Sequence, residues 1–198
     1  MTTNITIDKN QDQKSTEPNR RDEAGAANPS TWQLHWVHIW AIYNPVTNTI
    51  AGLFSLSATA PTLPSGYTHK AYVGAVYNNS SGNFISFFQR NNQARCTYGS
   101  FANFLTNGQI PLNEWNPLTP NIPPTARIAI SYMALLASGV GVIFSLKGND
   151  NGNAYYRYTI PGASGLTEVL FPVNESGNLY IKIIDVDNVH LQTTGWEF

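Results

Sequence analysis

With a single cysteine, Cys96, the chain forms no intrachain disulfide and offers none of the cysteine spacings of a zinc site. Cys96 is expected to be a small buried apolar residue. Charge is also scarce. Charged residues make up 12% of the chain, about half of the roughly 25% usual for globular domains. Eleven basic and twelve acidic residues leave a net charge of −1 with no basic patch, which argues against an electrostatic grip on nucleic acid or on an anionic membrane. No apolar run approaches the ~20 residues that span a bilayer, so no membrane insertion is expected. The first thirty residues, "MTTNITIDKNQDQKSTEPNRRDEAGAANPS", lack the apolar core of a secretory signal. No nucleophile elbow, phosphate loop or dinucleotide fingerprint occurs. There is no amphipathic helical period and no internal repeat.

What the chain does have is aromatic residues, 12% of its 198, set among Asn, Ser, Thr and Gly. The length suits one domain with an appendage. Residues 1–30 form the appendage. They carry four basic and five acidic residues, and apart from Met1 their only large apolar side chains are Ile5 and Ile7. So little apolar surface cannot offset the entropy of ordering, which predicts an extended or disordered attachment arm. Within it Asn4, Ile5, Thr6 and Ile7 are the residues suited to pair as a short strand. Residues 31–198 hold only seven basic and seven acidic residues.

That body reads as strands and turns throughout. "WQLHWVHIWAIYN" (Trp32 to Asn44) is apolar on both alternating faces, the mark of a strand that is central or lies against a partner. "NPVTN" turns the chain and "TIAGLFSLS" returns it. "KAYVGAVYN" and "NFISFFQR", joined by "NSSG", read as a hairpin. The segment 102–125 is Pro-rich and without period, so it is expected to be a long surface excursion with one short strand. "ARIAISYMALLA" has helical residue content, but its neighbours favour a strand. Five short strands separated by Gly or Asn turns complete the chain. The fold class expected is therefore all-β: an antiparallel, jelly-roll-like β-sandwich over 31–198, preceded by the arm.

His35 and His38 are three apart on a strand and face opposite sides, so they cannot share a metal. "GNDNGN" (Gly148 to Asn153) and "DVD" (Asp185 to Asp187) offer oxygen ligands, but lack calcium-loop spacing and are explained as turns. No metal or other cofactor is expected. The carboxylates of the body fall mostly in turns and termini, unlike the facing pair of a glycosidase. Aromatics beside amides are more informative, because a ring can stack on a sugar face while the amide bonds its hydroxyls. Trp115 and Asn116 in the excursion, and Asn149, Asp150, Asn151 and Tyr155 around the second loop, are the candidate ligand-binding residues.

The stretch from Trp36 to Gln89 resembles a recurring module of tailed-bacteriophage and prophage virion proteins, chiefly tail-fibre and receptor-binding chains. The residues that carry the resemblance are "WVHIWAIYNP", "APTLPSGYT", "YVGAV", "SGN" and "FFQ", with a C-terminal "GWEF". These are patterns of turns and core residues, and they transfer no catalytic residue. The resemblance implies a non-enzymatic virion component assembled in the bacterial cytoplasm. It would join other virion subunits through its arm, act as a homo-oligomer with a trimer favoured, and bind a host-surface glycan or protein through loops of the sandwich. A capsid or tail decoration protein with no receptor role, and a small tail-associated polysaccharide hydrolase, are the alternatives.

Overall fold

A computed structural model describes residues 32–97, 99–102, 104–105, 114–136, 142–147, 156–160, 165–175, 177–183 and 188–198. The described residues form an all-β structure of antiparallel sheets without an α-helix. They divide into two compact units, one ending at Ile85 and one beginning at Ser86.

The first unit is a three-stranded sheet in the order β2-β1-β3. Its strands are β1 (His35–Asn44), β2 (Thr49–Ser55) and β3 (His69–Asn78). The strand with two apolar faces, β1, is central. Trp40 and Ile42 on one face, with Ala51 and Leu53 beside them on β2, build a buried cluster that Tyr67, Leu63 and Tyr72 complete. The Pro/Gly-rich stretch between β2 and β3 supplies the lid of this cluster. In it Tyr67 N–H donates to Pro64 O (3.1 Å), and Gly66 takes φ +83° at the third position of the turn. A side chain there would be strained, and its Cβ would fall 2.6 Å from Asn44 Nδ2. Asn44 is itself committed, since its Oδ1 accepts from the backbone N–H of Val46 (2.9 Å) and Thr47 (3.2 Å) and shapes the β1–β2 turn.

One expectation fails here. "KAYVGAVYN" and "NFISFFQR" do not make an extended hairpin. The "NNSSGN" turn does close, with Asn79 N–H donating to Asn83 O (2.9 Å) and a single antiparallel bridge between Asn78 and Phe84. Pairing stops there, because Phe84 packs edge-on against Phe54 (5.3 Å) and Ile85 is buried. The following strand, β4 (Phe87–Arg90), pairs instead with β5 (Gln93–Cys96). Their two-residue turn places Asn91 at φ +55°, a conformation Asn tolerates.

The second unit holds β4, β5, β6 (Asn116–Leu118), β7 (Ile128–Leu136), β8 (Val142–Lys147), β9 (Tyr156–Ile160), β10 (Gly165–Pro172), β11 (Leu179–Ile183) and β12 (Asn188–Glu197). One sheet has the order β10-β7-β12-β5-β4 and the other β6-β11-β8-β9. The pairings β5 with β12, β6 with β11, β7 with β10 and β8 with β9 are all antiparallel. Strands β5 to β8 thus pair in reverse order with β9 to β12, and within each of these two sets successive strands fall in alternate sheets. That nesting defines a jelly roll, with β4 added at one edge. The stretch "ARIAISYMALLA" is a strand, β7, as its neighbours suggested.

Alternation sets the core. Ala129, Met133, Val169, Phe171, Leu191 and Trp196 of the five-stranded sheet are fully buried, and Leu118, Leu179 and Ile181 of the other sheet are buried too. Polar side chains also enter. Thr193 Oγ1 accepts from Asn121 N–H (3.1 Å), while on the sheet's other face Gln192, level with Tyr132 and Glu168, is buried by residues 99–101, accepting from Gly99 N–H (2.8 Å) and donating to Phe101 O (2.7 Å). Ser131, level with Thr193 on the neighbouring strand, is fully buried and its hydroxyl has no partner. Ser131→Ala is therefore expected to raise stability by about 1 kcal/mol, because it removes an unsatisfied buried hydroxyl. Urea denaturation reads this as a higher midpoint at unchanged slope.

On the opposite face of the same sheet a polar strap crosses several strands. Glu197 accepts from Gln93 (2.6 Å), Gln93 accepts from Arg95 Nε (3.4 Å), and the Arg95 guanidinium reaches Glu168 on β10. The two ends of this ion pair stand on β5 and β10, with β12 and β7 between them. The stem of Arg95 passes over Gly195 on β12, which has no side chain to obstruct it.

Candidate functional site

The Pro-rich excursion contains a short edge strand, β6. Pro117 lacks an N–H, which restricts its strand to an edge of the sheet, and among the described residues β6 pairs only with β11. Trp115 immediately precedes this strand and Asn116 opens it, and both are half-buried. Asn116 Nδ2 donates to Glu114 O (3.0 Å), so part of its amide already holds the local turn. At the far end of the strand, Thr119 Oγ1 donates to Asn178 Oδ1 (2.7 Å). Asn149, Asp150, Asn151 and Tyr155 lie outside the described residues, as do Asn4, Ile5, Thr6 and Ile7. Sheet register nevertheless fixes where the second loop departs. Asn116, Ile181, Leu146 and Tyr156 share one row across the four-stranded sheet. The strands that flank the second loop therefore stand level with Asn116, with Tyr156 on the opposite edge, three strand spacings or about 14 Å away.

A different feature, unmarked by any motif, lies in the first unit. The face of β1 opposite its buried cluster carries Ile39, Ala41 and Tyr43. Across the sheet Ile50, Tyr43 and His69 form one row, and Gly52, Ala41 and Ala71 form the next. The small row makes a floor and the large row a wall, giving a shallow depression of about 220 Å³. Ile50 is 56% exposed within it. The Tyr43 and His69 rings meet edge to face at 5.8 Å. Tyr43 O–H donates to Asn48 Oδ1 (3.1 Å), and His69 Nδ1 lies 2.9 Å from Thr68 Oγ1, so both rings are held in place. Such a surface takes an aliphatic group or the flat face of a ring. The apolar alternation of both faces of β1 was the sequence signal for it, but alternation does not say which half of a face is covered.

The histidines divide as their spacing requires. His35 is exposed, its Nδ1 2.6 Å from Gln33 O. His38 is 2% exposed and packs beside Tyr72, whose hydroxyl lies 3.1 Å from Nδ1. Burial pushes its pKa down from 6.5 to about 4. A proton then binds the unfolded chain more readily than the folded one between those values. Stability contributed by neutral His38 is complete above about pH 6.5 and is lost as the pH falls toward 4, by about 3 kcal/mol in all. Urea midpoints measured from pH 7.5 to 4 check this, and His38→Leu is expected to flatten the slope. Among the described residues no three His, Cys, Asp or Glu side chains gather to hold a metal ion. Cys96 is half-buried rather than buried, and burial raises its thiol pKa to about 11.

A scan against protein-family models finds no match to the chain, and a search of the curated proteins finds none either.

Proposed function

We propose that the chain is a structural protein of a phage virion, of the tail-fibre or receptor-binding type, which binds a host-surface glycan or protein. The nested strand pairing carries the reading. A jelly roll is a rigid frame used by viral capsid and lectin domains, and it presents its connections at the two ends of the sheets for recognition. The resemblance of Trp36–Gln89 to virion modules points the same way.

On this reading recognition centres on Trp115 and Asn116 at the edge of the four-stranded sheet and on residues 149–155 between β8 and β9. The chain acts as a homo-oligomer, in which linked weak sites raise avidity about 10²–10⁴-fold. The test is binding of fluorescently labelled protein to bacterial cells and to their isolated surface polysaccharides. Trp115→Ala is expected to weaken binding at least tenfold while leaving the unfolding free energy from urea denaturation within about 1 kcal/mol of the parent. Equal binding by parent and variant removes this edge from recognition, and no binding to any bacterial envelope overturns the reading.

A further inference from the structure

We infer that the depression on the first unit is the seat of the chain's own N-terminal arm, with Ile5 and Ile7 as the side chains that fill it. Three observations converge on this occupant. The first is chemical. Residues 1–31 contain two β-branched aliphatic residues, Ile5 and Ile7, in a segment that apart from Met1 is otherwise of polar, charged and small residues. The depression is lined by Ala41, Tyr43, Ile50, His69 and Ala71, with Ile42 and Lys70 completing it, and its apolar wall residue Ile50 is more than half exposed.

The second is spacing. Residues i and i+2 of an extended chain point to one side about 6.7 Å apart. The two rows of the depression, one through Tyr43 and one through Ala41, are also two residues apart along β1. An aliphatic pair with strand spacing therefore meets both rows at once.

The third is reach. Twenty-four residues separate Ile7 from Trp32. A flexible chain of that length has a root-mean-square span of about 27 Å. The distance to be covered along β1, from His35 to Tyr43, is eight residues, or about 26 Å. A linker whose natural span matches its target gives the tethered group an effective concentration in the mM range. At micromolar protein this favours the arm of the same chain over that of a second copy. The inference concerns the isolated chain and does not depend on the virion reading, in which the same arm engages other subunits. If both hold, the arm is sheltered until a partner claims it.

The test uses the full chain. In the variant Ile5→Cys/Ile50→Cys/Cys96→Ser, mild oxidation at low micromolar concentration is expected to give a crosslink within one chain. It should form at least tenfold faster than in the control Thr16→Cys/Ile50→Cys/Cys96→Ser. Crosslinked dimers as the main product would assign the seat to a second copy and overturn the inference, as would equal rates in the two variants. A second measurement is independent of thiols. Ile5→Asp/Ile7→Asp is expected to shift the NMR signals of Tyr43 and His69 and to leave those of the buried cluster around Trp40 and Leu53 unmoved. Unchanged Tyr43 and His69 signals overturn the inference.

Discussion

Gly195→Ala is expected to destabilise the chain by about 3 kcal/mol or more, lowering the melting temperature by on the order of 10 °C. Nothing about the backbone angle of Gly195 demands glycine, and the cause is space. A Cβ at this position would overlap the carbonyl oxygen of Ala94 and lie 2.9 Å from Arg95 Cδ. The arginine stem can swing aside, but the carbonyl belongs to the neighbouring strand and cannot move without breaking the register of β5 on β12. Gly195 also follows the point, between Thr193 and Gly195, where β12 shifts register against β7. The two strands are thus locked on both sides of the residue. A double variant separates the contributions. If Arg95 were the obstacle, Arg95→Ala would restore Gly195→Ala. The expected result is little rescue in thermal melts, because the carbonyl is the nearer and stiffer neighbour.

Trp196→Ala is expected to cost about 3–5 kcal/mol, the range for emptying a large buried aromatic site. Trp196 has no exposed surface and is the largest fully buried side chain of the described residues. Its partners across the sheet are Ala129 on β7 and Ala94 on β5, both fully buried. A large residue between two small ones fills the layer, and neither alanine can expand into the void. Phe87, stacked on the indole at 6.2 Å, would lose that contact. Trp196→Phe keeps much of the volume and should cost less than half as much. Guanidinium denaturation of the two variants checks the ratio, and equal losses would mean that ring size is not what matters.

Much of the fold was legible because period-two alternation and turn residues are local. "KAYVGAVYN", "LTEVLFP" and "NLYIKIID" read as strands and lie within a residue or two of β3, β10 and β11. The β3–β4 hairpin was misread because a good turn, "NNSSGN", does not reveal how far the pairing beyond it extends. A second turn signal at Asn91–Asn92 competed for the same strand and won it. The importance of Gly195 was invisible for a different reason. Its crowding comes from Ala94 and Arg95, a hundred residues earlier in the chain, and only the register of β5 on β12 brings them together. Of the candidate site, the short strand in the excursion was expected, but the half-burial of Trp115 and the local hydrogen bond of Asn116 were not. The depression beside Tyr43 escaped because coverage of a sheet face depends on tertiary packing.

The nested pairing of the second unit also sets a folding order. Joining β5 to β12 directly would close a loop of about a hundred residues, which is entropically slow. Once β8 has met β9, however, β7 and β10 are already neighbours, and each further pair closes only a short additional loop. The sandwich can therefore zip outward from one hairpin. Changes near β8 and β9 should act on the folding rate. Changes at Gly195 and Trp196, in the pair that closes last, should act chiefly on the unfolding rate. The two ends of one ribbon would then govern different quantities: how quickly the protein matures, and how long it lasts.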